Sequence, residues 1–248
     1  MKLTPQERAD RRASFRRMSL SEKLDYLYTY YKLPILLACI ALFLLGAGIY
    51  HLFTQKDVRL YLACVNVSIS SSLEEDLNGG FISSVGGNPN KEEVLINQAL
   101  YLSQDPAAEN HQYEYASQMK IMAAIASQQL DVVLMNQEAY DILSQAGYLR
   151  DLQAFLAQDS DLYQAVKPYL TTNTVILEDN AIEYNLDEAD VYQAVTEEVV
   201  NGVDVTGFPL FQGEGGYSGT VYFGVMADGP RLSEALEYLE YLTTAAQE

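Results

Sequence analysis

Side chains that attack, shuttle protons or hold metals are scarce in this 248-residue chain: two Cys (Cys39, Cys64) and two His (His51, His111). That set excludes a Cys/His zinc cluster and a disulfide framework. Cys64 falls in an apolar, strand-like run and His111 at the start of a helical one, so Cys64 reads as an inert buried thiol, not as half of a Cys–His pair. Carboxylates are plentiful: Glu74-Glu75, Asp159-Ser160-Asp161, Asp187-Glu188 with Asp190, and Glu197-Glu198. None has the Asp-x-Asp-x-Asp-Gly spacing of a calcium loop, and they read as a solvated acidic surface. Gly79-Gly80 and Gly86-Gly87 lack the lysine and hydroxyl of a phosphate loop. The expectation is a protein with no catalytic residues, no metal and no cofactor, hence not an enzyme.

Charge narrows the partners. Asp and Glu number 34 against 15 Lys and Arg, a formal net charge of −19. A phosphate-binding surface needs a basic patch, so no nucleic-acid partner is expected. The acidity is uneven. Residues 1–32 hold eight basic and four acidic residues, and the chain from residue 56 onward holds seven basic and thirty acidic ones. Between these parts, Leu33 to Phe53 contains no Asp, Glu, Lys or Arg. As a helix it would measure roughly 31 Å, the thickness of a bilayer's hydrocarbon core.

This pattern predicts a transmembrane helix over 33–54, an uncleaved signal anchor with lipid bilayer as its partner. Basic residues stay in the cytoplasm, which makes 1–32 a cytoplasmic basic segment with a juxtamembrane amphipathic helix, and the acidic remainder extracytoplasmic. Thr4-Pro5-Gln6-Glu7 and Ser19-Leu20-Ser21-Glu22 read as helix starts, and Pro34 predicts a bend. The expected location is the cell membrane, single-pass, in a bacterium of Gram-positive type.

Beyond the joint at Thr54–Asp57, strand-like and helix-like runs alternate. Val58 to Val67 reads as a strand, Leu73 to Val85 as a helix, Val94 to Leu102 as a strand, and His111 to Gln129 as a helix. Leu130 to Met135 follows as an apolar strand and Gln137 to Gln145 as a helix. Alternation of this kind predicts an α/β fold with a mostly parallel sheet between two helical layers. Thr174–Leu177, Ile182–Asn185 and Val199–Val205 read as short strands, with Gly213 to Tyr217 as a glycine-rich entry to a final strand.

The stretch Asp131-Val132-Val133, leading to a helix and then Gly147-Tyr148-Leu149-Arg150-Asp151-Leu152, resembles a segment of the extracellular solute-binding proteins of ABC importers. Ser218 to Ala227, followed by the leucine-rich run Leu232 to Leu242, resembles the return strand and last helix of the same family. The resemblance implies a periplasmic-binding-protein type II fold, reduced and membrane-anchored. The α/β lobe would comprise 57–170 and 220–248, and a small β-rich second subdomain 171–219. That subdomain is too short for a full closing lobe.

A ligand of a parallel α/β sheet sits where the strands end and helices begin. The candidate binding residues are Asn66, Ser68, Ser70 and Ser71 after the first strand, Asn136, Gln137 and Tyr140 after the third, and Tyr217 and Ser218 before the last. Helix capping is the competing role of the Ser and Asn. Two functions follow. One is a non-catalytic, membrane-anchored solute-binding-like protein that takes a small solute or is a degenerate transport receptor, partnered by an envelope or ABC-transporter membrane protein. The other is an envelope structural or interaction protein with no small-molecule ligand.

Overall fold

A computed structural model describes residues 19–104, 111–180, 192–212 and 219–245. The chain divides into two units, Met1–Gln55 and Lys56–Glu248.

In the first unit, helix α1 (Leu20–Thr54) runs unbroken, with Pro34 inside it where a bend was expected. The start expected at Thr4 lies outside the described residues. Side chains from Lys32 to Gly48 are all exposed, Phe43 at 74 %. Among the described residues no helix is long and apolar enough to cross a membrane. This corrects the reading of 33–54 as a single-pass transmembrane anchor.

The second unit is built on one six-stranded sheet in the order β2-β1-β3-β6-β5-β4. The strands are β1 (Asp57–Val65), β2 (Glu92–Leu100), β3 (Val132–Met135), β4 (Leu170–Asp179), β5 (Ala194–Asp204) and β6 (Tyr222–Val225). β1 runs parallel to β2 and β3. β6 runs antiparallel to β3 and β5, and β4 antiparallel to β5. The sheet is therefore mixed, which corrects the expectation of a mostly parallel one. The segment 171–219 is no separate subdomain either. Its two long strands join the main sheet through Val203↔Phe223 and Asp204↔Tyr222, making one α/β domain. The strand expected at Ile182–Asn185 and the glycine-rich entry at 213–217 lie outside the described residues.

Strand alternation sorts the core. Leu60, Leu62, Cys64, Val132 and Leu134 pack on one face, Ala63, Val65, Val133 and Met135 on the other. The first face is covered by α2 (Ser71–Glu75), α3 (Phe81–Ser84), α6 (Leu152–Leu156), α7 (Ser160–Val166) and α8 (Leu232–Thr244); the second by α4 (His111–Ala126) and α5 (Gln137–Gln145). Between α2 and α3 the helix widens into a π turn, Asp76–Gly80. Two α8 tyrosines donate to carbonyls there, Tyr238 to Leu77 O at 3.1 Å and Tyr241 to Asp76 O at 2.8 Å.

Local grammar fixes the junctions. Ser70, Asn136, Asp151 and Asp159 cap α2, α5, α6 and α7 through their side-chain oxygens. Gly147 (φ 71°) ends α5 in the left-handed conformation, with its N–H on Ser144 O and that of Tyr148 on Leu143 O. The chain then turns so that Leu149 bridges Met226 just beyond β6.

Candidate functional site

At the carboxyl ends of β1 and β3, Asn66 stands in the left-handed region (φ 57°), which asparagine tolerates better than most residues. Its amide clamps the chain beyond β2: Oδ1 accepts from Leu102 N at 2.9 Å and Nδ2 donates to Leu102 O at 2.6 Å. Nδ2 also reaches Asn136 Oδ1 at 3.2 Å, and that oxygen caps α5 by accepting from Ala139 N at 2.9 Å. Both polar atoms of the Asn66 amide and the side-chain oxygen of Asn136 are spent on the protein itself.

One turn into α5, the Tyr140 ring stacks on Tyr222 with centroids 4.7 Å apart. Its hydroxyl donates to Asn201 Oδ1 at 2.8 Å and accepts from Thr171 Oγ1 at 3.2 Å. Asn201 Nδ2 donates to Ser144 Oγ at 2.8 Å, and Ser144 donates to Thr174 O at 2.9 Å. Asn201 and Ser144 are fully buried. Gly202 makes the closeness possible, since a Cβ there would lie 2.6 Å from both Thr171 Oγ1 and the Tyr140 hydroxyl. Burial pushes the Tyr140 phenol up to about 12. The Thr171 hydrogen bond opposes that rise, and Tyr222, Asp141 and Glu198 add to it. Gln137 accepts from the Tyr222 hydroxyl at 2.6 Å and donates to Asp141 at 2.8 Å.

The structure therefore brings Asn66 next to Asn136, and Gln137 and Tyr140 together around Tyr222. It separates off the serines: Ser70 caps α2, while Ser68 and Ser71 are exposed. Tyr217 and Ser218 lie outside the described residues. Sequence reading missed Asn201, Ser144 and Thr171, which fasten α5 to β4 and β5. A signal existed for Asn201, a lone amide between Val200 and Val203 in an otherwise apolar stretch.

Two further polar features also escaped it. Asp131, buried at the start of β3, accepts from Tyr61 N at 2.7 Å and Arg231 N at 3.1 Å and pairs with the Arg231 guanidinium at 2.8 Å. At the opposite end of the sheet from Asn66, an open groove of about 540 Å³ is lined by Arg150, Phe155, Gln158, Ala227, Ser233 and Leu236, among others. The only signal for it was that Arg150 is the sole cation between Lys120 and Lys167.

Cys64 is fully buried, and burial, with a smaller push from Glu74, raises its thiol to about 12. Cys39 and Cys64 are both free thiols. Among the described residues no group of three or more His, Cys, Asp or Glu could hold a metal ion. Compared with known protein families and with curated proteins, the chain matches none significantly.

Proposed function

We propose that the Lys56–Glu248 unit is a non-catalytic recognition domain that works by contacting a partner and does not enclose a solute between its strand ends. The observation carrying this reading is the closure of those ends by the domain's own side chains. At those ends Asn66 and Asn136 bond each other and the backbone, Tyr140 stacks on Tyr222 and Gln137 takes the Tyr222 hydroxyl, while Asn201 and Ser144 behind them fasten α5 to the β4–β5 hairpin. A solute entering there would have to replace several buried hydrogen bonds, each costly to leave unmade. The reading suits a reduced relative of solute receptors in which 171–219, instead of forming a closing lobe, supplies two strands of the main sheet.

Thermal shift of the full chain against sugars, amino acids and short peptides tests it, since a ligand of the folded state raises Tm. The expected result is that no compound gives a rise that Gln137→Ala abolishes. A solute whose stabilisation disappears in Gln137→Ala, with the variant's own fold intact, overturns the proposal.

A further inference from the structure

We infer that the groove at the amino end of β3 is a binding site for an organic monocarboxylate with an apolar body, held by Arg150 and the first turn of α8. This rests on the groove itself and not on closure of the strand ends.

Arg150 is the first observation. Beyond residue 55 the chain carries seven basic against thirty acidic residues, so a cation there should find a carboxylate easily. Arg59 has Glu92 and Glu237, and Arg231 has Asp131. Arg150 pairs with no carboxylate among the described residues. Its guanidinium donates a hydrogen bond to Ala227 O and lies 5.8 Å over the Phe155 ring; its buried Nε, like that of Arg59, has no hydrogen-bond partner among the described residues. A partly buried guanidinium so poorly matched costs stability unless something else supplies the negative charge.

A second, independent observation is the start of α8. Arg231 occupies its N-cap and gives no side-chain cap, and the Ser233 hydroxyl is turned to Glu234 Oε2 at 2.7 Å. Among the described residues the first-turn amides of this 13-residue helix have no side-chain acceptor, and Leu232 and Ser233 line the groove. Uncapped amides and a helix N-terminus favour an anion. Asp151 also lines the groove; its Oδ1 caps α6, accepting from Gln153 N at 2.8 Å and from Ala154 N at 3.4 Å.

The walls set the rest of the ligand. Leu149, Ala154, Phe155, Ala227 and Leu236 are apolar, and a groove of about 540 Å³ lies in the ordinary range for small ligands. One guanidinium in a domain of excess negative charge favours a monoanion over a phosphate dianion. A planar carboxylate suits the fork of Arg. Such a group comes from a free branched-chain acid or from the apolar C-terminal residue of a peptide.

Calorimetric titration of the full chain with 4-methylpentanoate, a free acid, and with N-acetyl-leucine, a peptide-terminus mimic, tests the site. N-acetyl-leucine amide and acetate serve as controls lacking the charge and the apolar body. At least one of the two test acids should bind saturably, and both controls at least about tenfold more weakly. Arg150→Gln should weaken binding by about tenfold or more. Ala154→Glu, at an exposed position that leaves the Arg150 contacts intact, should do the same and decides the matter if Arg150→Gln fails to fold. Absence of binding by both acids at about 10 mM overturns the inference, as does equal binding of the amide or unchanged affinity in Ala154→Glu.

Discussion

Asn201 has no surface to offer water, so both ends of its amide depend on Tyr140 and Ser144. Truncating it removes one partner from each of two buried hydroxyls, which keep Thr171 and Thr174 O, and Asn201→Ala should cost about 1–3 kcal/mol, read as a lower urea midpoint at unchanged slope. An unshifted midpoint would mean that water replaces the amide and that the fastening of α5 is looser than its geometry. Half of this site was legible. Asn66, Asn136 and Gln137 sit where an apolar strand meets a helix start, a pattern confined to a few neighbouring residues. Asn201 reaches Tyr140 and Ser144 only because β5 is brought beside α5 from some sixty residues away, and no local spacing reports that. Cys64 gives a second prediction at this scale. Its thiol ionises near 9 in the unfolded chain and near 12 in the fold, so the unfolded state releases the proton first. Stability is unaffected below about pH 9 and falls from there towards pH 12, by at most about 1.4 kcal/mol per pH unit from this group. Cys64→Val should flatten that alkaline fall in urea titrations, while Tyr140, raised to about 12, keeps a part of it above pH 10. An equally steep fall in the variant would remove Cys64 as a cause.

At the scale of elements, the β4–β5 hairpin stands apart. β4 ladders with β5 over ten residues, but β5 meets β6 at only two positions, and the distal half of the hairpin is largely exposed, with Leu177 at 55 % and Val195 at 57 %. Helix α5 covers the near half of the outer edge, where Tyr140 and Ser144 meet Thr171 and Thr174, a usual way of blunting an edge strand. Amides of Val175–Asp179 and Ala194–Glu197 should therefore exchange with deuterium faster than those of β1 and β3, which are buried on both faces. Equal protection would show that the hairpin tip is held by contacts outside the described residues. Gly202→Ala probes the near half: its methyl would meet two hydroxyl oxygens at 2.6 Å, and a loss of about 1–3 kcal/mol is expected in the same urea assay. These elements also show what periodicity conveys. β3 and α5 were readable, since four apolar residues followed by a capping asparagine leave little choice, and α5 spans Gln137–Gln145 as its pattern indicated. β4 and β5 looked like fragments of a separate subdomain. Their distal halves are solvent-facing and carry weak alternation, and their place in the sheet is set by two residue pairs with β6.

For the molecule as a whole, charge is the dominant long-range term. The Lys56–Glu248 unit holds seven basic and thirty acidic residues, and from 168 to 230 there is no Lys or Arg at all. Its few ion pairs do not offset this. Arg59 meets Glu92 at 3.6 Å and Glu237 at 3.9 Å near the surface, where such pairs contribute little, and among the described residues only Arg231–Asp131 is close, with its carboxylate buried. Excess like charge repels itself and destabilises the compact state more than the expanded one. Salt should relieve that repulsion. Going from about 20 mM to about 300 mM NaCl shortens the screening length from roughly 20 Å to under 6 Å, which separates the acidic surfaces electrostatically while leaving the buried Asp131–Arg231 pair nearly untouched. Relief of even about 1 kcal/mol corresponds to about 2–4 °C in a domain of this size, so Tm should rise by at least that much and level off near 300 mM. Levelling separates screening from the steady, preferential-exclusion effect of concentrated salts. A flat or falling Tm over this range would show instead that the carboxylates are spaced so widely in the fold that their mutual repulsion is already dissipated by water.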